Sequence, residues 1–492
     1  MALTLSVDTA RSSLSATAEQ ISVVSRNIAR VGDPDATRKT GRLVSGPGAG
    51  VSVAGIDRSY NPLLLNSYLN SNSNYQSQTA ITTALDQIQS TVDETDLERS
   101  PAALIAKLNS ALQSYSATPQ NPAVAATVVS AAKDLATALN SASATVTNVR
   151  RQADSDIAAS VDNINNLLSQ FKDLNNQVVK GASQGGDITD VLDSRDAVLK
   201  QLSSEVGIRT VTRDNGDMAI YTDSGVTLFD KSPRQVAFQQ TQDLSGGATG
   251  GAVYADGVPI AGTDHVMAIS SGKLAGLVQV RDEIAPSYQS QLDEIARGLI
   301  ETFAETDQSA TPTLPPAAGL FTYAGGPGVP PSGSVMAGLA GSITVNKNAD
   351  PTQGGNAELV RDGGISNPGN PAYTYNTTGA ASYTDRIQAL MSNIDAERTF
   401  DSSTQLPPSG SISSYAKGSV SWLEALRQSA SSEADYRKTV ADRATSALSQ
   451  VTGVNLDEEM TNLLDLERTF QASSRLINTV DSMLSTLLQA VG

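Results

Sequence analysis

Apolar residues recur in steps of three and four at both ends of the chain, as they do along one side of an amphipathic helix. Near the start they are Leu3, Val7, Leu14, Ile21, Val24 and Ile28. Near the end they are Leu463, Leu466, Phe470, Ile477, Val480, Leu484, Leu487 and Val491. This spacing is typical of a coiled-coil seam, and we call the two series together the terminal seam. The two predicted helices could pair with each other or with the same helices of neighbouring copies.

The helical period continues between the two ends and is interrupted by recognisable start signals. Ser100–Pro101 and Asn121–Pro122 each combine a capping side chain with a proline in the first turn, which is typical of a helix start. The second signal opens a stretch over 122–180 that we interpret as one long helix or two helices in line. Further helices are predicted over 3–31, 62–92, 187–206, 282–305, 383–398, 415–450 and 455–492.

The period changes after Gly207, where short β-prone runs replace the helical pattern. Residues 208–229 alternate around Asn215–Gly216, and Asn-Gly between such runs is a strong signal for a hairpin. Residues 306–380 are rich in Gly, Pro, Ser and Asn and predict loop-rich β structure or a surface insertion. Residues 33–60 are also Gly/Ser-rich, and we expect loop with a short extended piece there.

These elements predict a mainly α fold with a β insertion: terminal coiled-coil helices, a long helical-rod domain and an outer β-rich domain. We expect a terminal coiled-coil region over 1–60 and 451–492, and a helical rod over 61–206 and 381–450. A β-rich outer domain with a Gly/Pro-rich insertion would then occupy 207–380. Because the chain leaves a helical stem and returns to it, both termini should lie at the same end.

Composition excludes several classes of function. The net charge of the 492 residues is −17, which argues against binding to nucleic acid or to an anionic membrane, since both need a basic face. The chain has no cysteine and one histidine, so it has no disulfide, thiolate catalysis or Cys/His zinc site. Residues 1–30 lack the features of a signal peptide, and we find no apolar stretch that would span a bilayer. We therefore expect no membrane insertion.

Candidate catalytic or metal-binding groups all have simpler interpretations. Asp187, Asp190, Asp193 and Asp196 follow one another in steps of three, and we interpret them as a solvated face that complements the helix dipole. Asp214–Asp217 resembles half of a calcium loop but lacks the distal Glu, so a hairpin turn is the better interpretation. His265 has no second His or Cys to join it and is interpreted as a surface or packed residue. The sequence therefore predicts no catalysis, no metal and no cofactor.

Several short motifs resemble those of one protein family. At the C-terminal end they are Gly453–Glu459, Asn462–Leu464, Phe470–Ala472 and Arg475–Ile477, and inside the chain Leu108–Leu112 and Leu192–Asp196. With Asn27–Ala29 at the end of the first helix, this set resembles the FlgK (hook-associated protein 1) family of flagellar axial proteins. The resemblance covers residues 1–30, 75–206 and 415–492. After Ala29 the chain departs from the family pattern and reads Arg30-Val-Gly-Asp-Pro-Asp-Ala-Thr-Arg-Lys39.

The resemblance implies a structural subunit that forms the junction ring between flagellar hook and filament. Its implied partners are further copies of itself in the ring, the hook protein, a second junction protein, and an export chaperone that holds the C-terminal helix. The family leaves the cell through the flagellar type III export channel without a cleaved signal, which implies an extracellular location in the flagellum. Other readings are a hook-like or rod-like axial subunit, and a secreted helical effector or adhesin. An enzyme with chemistry in the β region is the least favoured.

The start of the last helix carries a capping signal. Asn455 is placed to cap the helix while Glu458 reaches back to it, and Asp457 and Glu459 suit the positive end of the helix. Isolated helices are marginal in water, so we hypothesise that the terminal helices are loose in a free monomer and become ordered only against neighbours.

Overall fold

The computed structural model describes residues 2–46, 50–89, 99–245, 247–262, 267–326 and 328–491. Most of its regular structure is helical, as the sequence predicts. The long helices are α1 (Ala2–Ala29), α2 (Pro62–Gln89), α3 (Pro101–Ala117), α4 (Pro122–Gln184), α5 (Thr189–Glu205), α7 (Ala285–Thr302), α11 (Ile412–Thr452) and α12 (Leu456–Val491). Shorter helices are α6 (Lys273–Gln279), α8 (Leu339–Ser342), α9 (Leu359–Asp362) and α10 (Asp385–Asp395). A π-helical turn over Val280–Ile284 joins α6 to α7.

The strands form small antiparallel sheets. They are β1 (Lys39–Gly46), β2 (Gly50–Arg58), β3 (Ile208–Thr212), β4 (Met218–Thr222), β5 (Thr227–Asp230), β6 (Ser232–Pro233), β7 (Val236–Ala237), β8 (Val253–Ala255), β9 (Val258–Ala261), β10 (Phe321–Thr322), β11 (Thr344–Val345), β12 (Arg398–Thr399) and β13 (Ser409–Gly410). The order β3-β4-β5-β6 makes one sheet and β7-β8-β9 another, while the other strands pair two by two. The hairpin predicted around Asn215–Gly216 is confirmed by the pairing of β3 with β4.

Helix α4 is the longest element and runs through the centre of the molecule. It is one continuous helix of 63 residues, about 95 Å long at a rise of about 1.5 Å per residue. The Asn121 side chain accepts a hydrogen bond from Ala123 N, and Gly185 ends the helix with φ = 71°. Glycine adopts this left-handed conformation at little cost, so the stop is encoded locally.

The core lies between α4 and the helices around it. Helices α2, α3, α5, α6, α7 and α8 all pack on α4, and α11 runs along α2. The side chains of Gln78 and Thr82 both donate to the backbone oxygen of Ala430, which fixes the α2–α11 pairing. One window of α4 is long and apolar enough to cross a membrane by length and composition, contrary to the expectation from sequence. Its apolar side chains face these neighbouring helices, as in the core helix of a globular protein.

The Gly/Pro-rich segment differs from the surface insertion that its composition suggests. Ile343 and Val360 are fully buried, and α8 and β11 pack against α4. The carboxylate of Asp293 on α7 holds the segment by accepting hydrogen bonds from Gly338 N and Ala340 N at 2.9 and 2.8 Å. Residues 306–380 therefore supply part of the core, with little regular structure of their own.

Residues 33–60 also contain more structure than we expect from sequence. Strands β1 and β2 form an antiparallel hairpin that packs on α1. Helices α1 and α12 and this hairpin pack on one another as one unit. We call this unit the arm and the remainder of the chain the body.

The terminal arm and its junction with the body

Helices α1 and α12 pair with each other in the arm and run antiparallel. The hydroxyl oxygens of Ser13 and Ser473 lie 3.3 Å apart in the middle of the pair. Nearer the body, the Asn27 side chain donates to the Glu459 carboxylate at 3.0 Å. Of the two pairings that the sequence allows, the single chain therefore adopts the one between its own terminal helices.

This pairing covers the terminal seam only in part. Val24 and Val480 are buried, with 8% and 7% of their surface exposed, whereas Phe470 is 37% exposed. Most of the other seam residues are half-buried: Val7, Leu14, Ile21, Ile28, Leu463, Leu466, Ile477 and Leu484. The side chains of Leu3, Leu487 and Val491 lie outside the described residues, as does His265. Two helices alone leave much of the seam in contact with water.

Helix α12 carries further apolar side chains away from the seam. Leu456, Met460 and Leu464 are exposed and recur every four residues, so they lie on one side of the helix. Leu476 and Met483 are also exposed and are seven residues apart, which places them on one side further along. The outer surface of α12 is therefore apolar in two places.

The start of α12 is capped as predicted, but its acidic residues have partners that the sequence did not indicate. The Asn455 side chain accepts hydrogen bonds from Asp457 N and Glu458 N at 3.0 and 3.3 Å. Glu458 pairs with Arg38 at 2.9 Å, whereas the predicted capping box would have turned it back towards Asn455. Glu459 is buried and accepts from Arg38 Nε at 2.7 Å as well as from Asn27. These contacts hold α12 to the segment that leads into β1.

The four aspartates of α5 and its N-terminal flank form the body's side of the junction. We call Asp187, Asp190, Asp193 and Asp196 the acidic ladder. Each member pairs with a cation of the arm. Asp187 pairs with Arg26 at 3.1 Å, and Asp190 pairs with Arg30 at 3.0 Å and with Lys39. Asp193 pairs with Arg58 at 3.3 Å and with Arg30 and Lys39 at 3.4 Å, and Asp196 pairs with Arg58 at 2.7 Å. The interpretation of these residues as a solvated face is therefore wrong for Asp193 and Asp196, which are buried, whereas Asp187 and Asp190 are paired but still partly exposed. Steps of three place them on one side of a helix, and that side faces the arm.

The ladder has a more exposed pair, Asp187 and Asp190 with 32% and 59% of the side chain exposed, and a buried pair, Asp193 and Asp196 with 1% and 11%. Asp193 is also held by Thr37, whose hydroxyl donates at 2.6 Å and whose backbone N–H donates at 3.2 Å. A buried carboxylate needs such partners, since an unpaired charge in the interior is costly.

The pKa values of the two end members of the ladder shift in opposite directions. Burial raises the pKa of Asp196, and the neighbouring Arg58 opposes the shift only in part. For Asp187, burial also acts to raise the pKa, but the hydrogen bonds from Thr189 and Arg26 outweigh it and hold the pKa below the ordinary value. The exposed end is thus stabilised as a charged pair, and the buried end depends on a close guanidinium.

Sequence reasoning did not single out the cations of this junction. Arg38 precedes β1, Lys39 begins it and Arg58 ends β2. The segment from Arg30 to Lys39 stood out only because it departs from the family pattern. The available signal was the match between four acids at helical spacing and several cations in one terminal segment. Nothing in the sequence states that residues about 130 to 160 positions apart meet.

Two family models match this chain, and both describe flagellar proteins. A model of the flagellar hook-associated protein FlgK helical domain matches residues 83–313. A model of the flagellar basal body rod FlgEFG protein C-terminal region matches residues 448–490, which include α12. The first match continues past residue 206 through strands β3 to β9, so the expectation that the resemblance is confined to residues 1–30, 75–206 and 415–492 is wrong.

Individual proteins that are similar to this chain are also flagellar hook-associated proteins. The chain is 23% identical over 526 residues to flagellar hook-associated protein 1 of Bacillus subtilis (strain 168), an alignment that covers 99% of this chain and 98% of the relative. It is 24% identical over 314 residues to flagellar hook-associated protein 1 of Escherichia coli (strain K12), covering 60% of this chain and 56% of that protein. The structure of the flagellar hook junction protein FlgK from Burkholderia pseudomallei aligns with a TM-score of 0.42 at 22% identity, over 53% of this chain and 47% of that one.

The helical body, the paired terminal helices and these matches define a structural protein of the bacterial flagellum. The chain belongs to the FlgK family of flagellar hook-associated proteins.

Proposed function

We propose that this chain is a non-enzymatic subunit of the junction between hook and filament, and that copies join into a ring through their arms. The observation that carries the proposal is the apolar outer surface of α12. Leu464 is 52% exposed on the side of the helix away from the seam, and Leu456, Met460, Leu476 and Met483 are exposed as well. Burying an aliphatic side chain contributes about 1.5–3 kcal/mol, so contact with a neighbour along this helix would be stabilising.

Two apolar surfaces on different sides of α12 favour contacts with more than one neighbouring copy of the chain. A contact between two different surfaces of the same protein generates a ring when the rotation closes. The side bearing Leu456, Met460 and Leu464 and the side bearing Leu476 and Met483 are two such surfaces. In this proposal, unlike in the hypothesis that the terminal helices are loose in a free monomer, the α1–α12 pair is already closed in the single chain. It stays closed on assembly and presents its outer surface to the arms of other copies.

Removal of residues 455–492 tests the role of the arm. We expect cells with the truncated protein to lose attached filaments and motility, while the body remains folded because its core does not depend on α12. A matched control is the triple change Thr461→Ala, Thr469→Ala and Thr479→Ala, since these exposed hydroxyls bond only to their own helix backbone. Intact filaments on cells with the truncated protein would contradict the proposal.

A cross-link between the terminal helices tests whether the pair stays closed. The chain has no cysteine, so Ser13→Cys with Ser473→Cys introduces a single disulfide where the two hydroxyls face each other. We expect the oxidised protein to join purified hook ends as well as the reduced protein does. Assembly that occurs only after reduction would show that the helices must separate and would contradict this part of the proposal.

The remaining partners follow from family membership. We propose contacts with the hook protein on one side and with a second junction protein on the other, and a chaperone that covers the C-terminal helix before export. We also propose export through the flagellar channel without a cleaved signal. Immunogold labelling of purified hook–basal bodies, with and without filaments, should place the protein at the distal end of the hook.

A second candidate is a hook-like or rod-like axial subunit. The match of residues 448–490 to the C-terminal region of rod proteins favours it, because that region is described for the rod class. The same labelling experiment separates the two, since label along the whole hook or in the rod would favour this alternative. Label outside the flagellum would instead favour a secreted effector or adhesin.

A further inference from the structure

We propose that the acidic ladder is a brace that fixes the angle of the arm against the body, and that without it the arm turns about a narrow neck. This inference goes beyond the proposed function, because it concerns the motion of a single chain. It rests on three features of the described residues: the two places where the chain crosses between body and arm, the position of the ladder to one side of them, and the burial of Asp193 and Asp196 beside the more exposed Asp187 and Asp190.

The two chain crossings lie together and act as one pivot. One crossing leads from β2 through Ser59 into α2, and the other leads from α11 through Gly453 into α12. Arg38 joins them, because its N–H donates to Thr452 O at 2.8 Å and its C=O accepts from Ser59 N at 2.8 Å. Two crossings tied at a single residue do not by themselves prevent rotation of the arm.

The acidic ladder restrains this rotation of the arm. Its members extend along α5 from Asp196, whose partner Arg58 immediately precedes the crossing at Ser59, to Asp187, whose partner Arg26 lies in the last turn of α1. The contacts therefore run from the pivot outwards along the arm. Arg38, just before β1, reaches Glu459 on α12, while Lys39, the first residue of β1, reaches the ladder. The start of β1 thus connects the brace to α12 as well as to α1.

The difference in burial between the two pairs of ladder members identifies the contacts that set the angle of the arm. Exposed ion pairs contribute little, so Asp187 and Asp190 should add only weak support. Arg30, Lys39 and Arg58 each keep a second carboxylate partner without Asp193, but only Asp193 among the described ladder members joins all three at a buried position. Removing one member of a buried charged group is strongly unfavourable, so Asp193 should carry most of the restraint. Asp193 is the only described member of the ladder with three cations and a threonine as partners. Replacing it should release the arm from its position without removing any apolar contact of either unit.

Distance measurements between two labels test the brace. The cysteine-free chain accepts spin labels at Gln471→Cys on the exposed surface of α12 and at Ser169→Cys on the exposed surface of α4. Electron–electron resonance on the dilute full chain should give one narrow distance distribution. With Asp193→Asn added, we expect this narrow peak to be lost and replaced by a broad distribution, while circular dichroism shows unchanged helix content.

Asp190→Asn is the matched control, since it removes the same charge one turn away at an exposed position. It should leave the distribution narrow. If Asp193→Asn fails to fold, Thr37→Val removes one hydrogen bond to Asp193 at nearly constant shape and should broaden the distribution in part. A narrow, unshifted peak in every folded variant at these buried positions, or equal broadening by Asp190→Asn, would overturn the proposal.

Discussion

The body and the arm use the same apolar period with different results. In the body, Leu135, Ile157 and Leu168 on α4 are fully buried, because several helices pack around α4. In the arm, α12 packs along α1, and Phe470 remains 37% exposed in a comparable stripe. The comparison teaches that periodicity specifies which side of a helix is apolar, whereas the number of neighbours decides whether that side is closed. The arm is the part of the molecule that further copies could complete.

Amide hydrogen exchange on the dilute chain should show the largest difference between the two regions. We expect α4 to exchange only through global unfolding and α1 and α12 through local opening, with opening free energies that differ by about 5 kcal/mol or more. The physical reason is that the arm buries little apolar surface on its own. On assembly, the arm should become protected while α4 changes little. Full protection of residues 3–31 in the dilute monomer would remove the distinction.

Truncation of a core side chain should be the next largest effect. Leu168→Ala replaces a fully buried residue of α4 and should lower the free energy of unfolding by about 2–5 kcal/mol, through lost burial and the cavity that remains. Chemical denaturation followed by circular dichroism measures it. The change should not affect the attachment of filaments at temperatures where the variant is folded. A loss below about 1 kcal/mol would mean that the body is packed as loosely as the arm.

The buried carboxyl of Asp293 should make the stability of the body depend on pH. Burial raises its pKa from 3.8 to about 6, although hydrogen bonds from Ala340 N, Gly338 N and Gln289 act to lower it and nearby Glu294 adds to the rise. Because the folded pKa is above the unfolded one, the contribution is fully present below about pH 4 and is lost as pH rises through about 6. At about 1.4 kcal/mol per unit, the total is on the order of 3 kcal/mol.

The measurement is the difference in unfolding free energy between the natural chain and Asp293→Asn from about pH 4 to about pH 8, a range that brackets the raised pKa. A constant offset from the changed hydrogen bonds cancels in this comparison. We expect the natural chain to lose stability relative to the variant as pH rises, because the amide introduced by Asp293→Asn does not ionise. Parallel curves would show that the carboxyl is not desolvated as the structure indicates.

Phe470→Ala should have the smallest effect on the isolated chain. Its ring is more than a third exposed beside α1, so we expect the free energy of unfolding to fall by less than about 1 kcal/mol. The same change should weaken incorporation at the hook end, if neighbouring copies cover this side chain. Thr469→Ala, one position earlier, is the control for a general effect on the helix. Unimpaired incorporation of the Phe470 variant would exclude this residue from the interface.

Much of the fold could be predicted from local patterns. The starts of α3 and α4 at Ser100 and Asn121 and the hairpin after β3 agree with the structure, because capping and turn formation involve residues only a few positions apart. The β1–β2 hairpin could not be predicted with the same certainty, since its Gly/Ser-rich strands have a weak alternation. The burial of Ile343 and Val360 was also missed, because a low-regularity segment can still supply core side chains.

The candidate site could also be predicted from the sequence only in part. The residues of the terminal seam were identifiable, and their role between copies stays a prediction. The acidic ladder was identifiable as four acids on one side of a helix, but its function as a contact surface was not. A solvated acidic face and one covered by arginines have the same spacing in the sequence.

By itself, the sequence determined the two apolar stripes, the ends of most helices and the surplus of acidic charge. All of these depend on residues within about one or two helical turns of each other, or on composition alone. Only the tertiary structure decided that α1 pairs with α12 in the same chain and that Asp193 is buried beneath Arg30, Lys39 and Arg58. The reason is that these contacts join distant parts of the chain, where the free energy of burial and charge pairing depends on which surfaces the fold brings together.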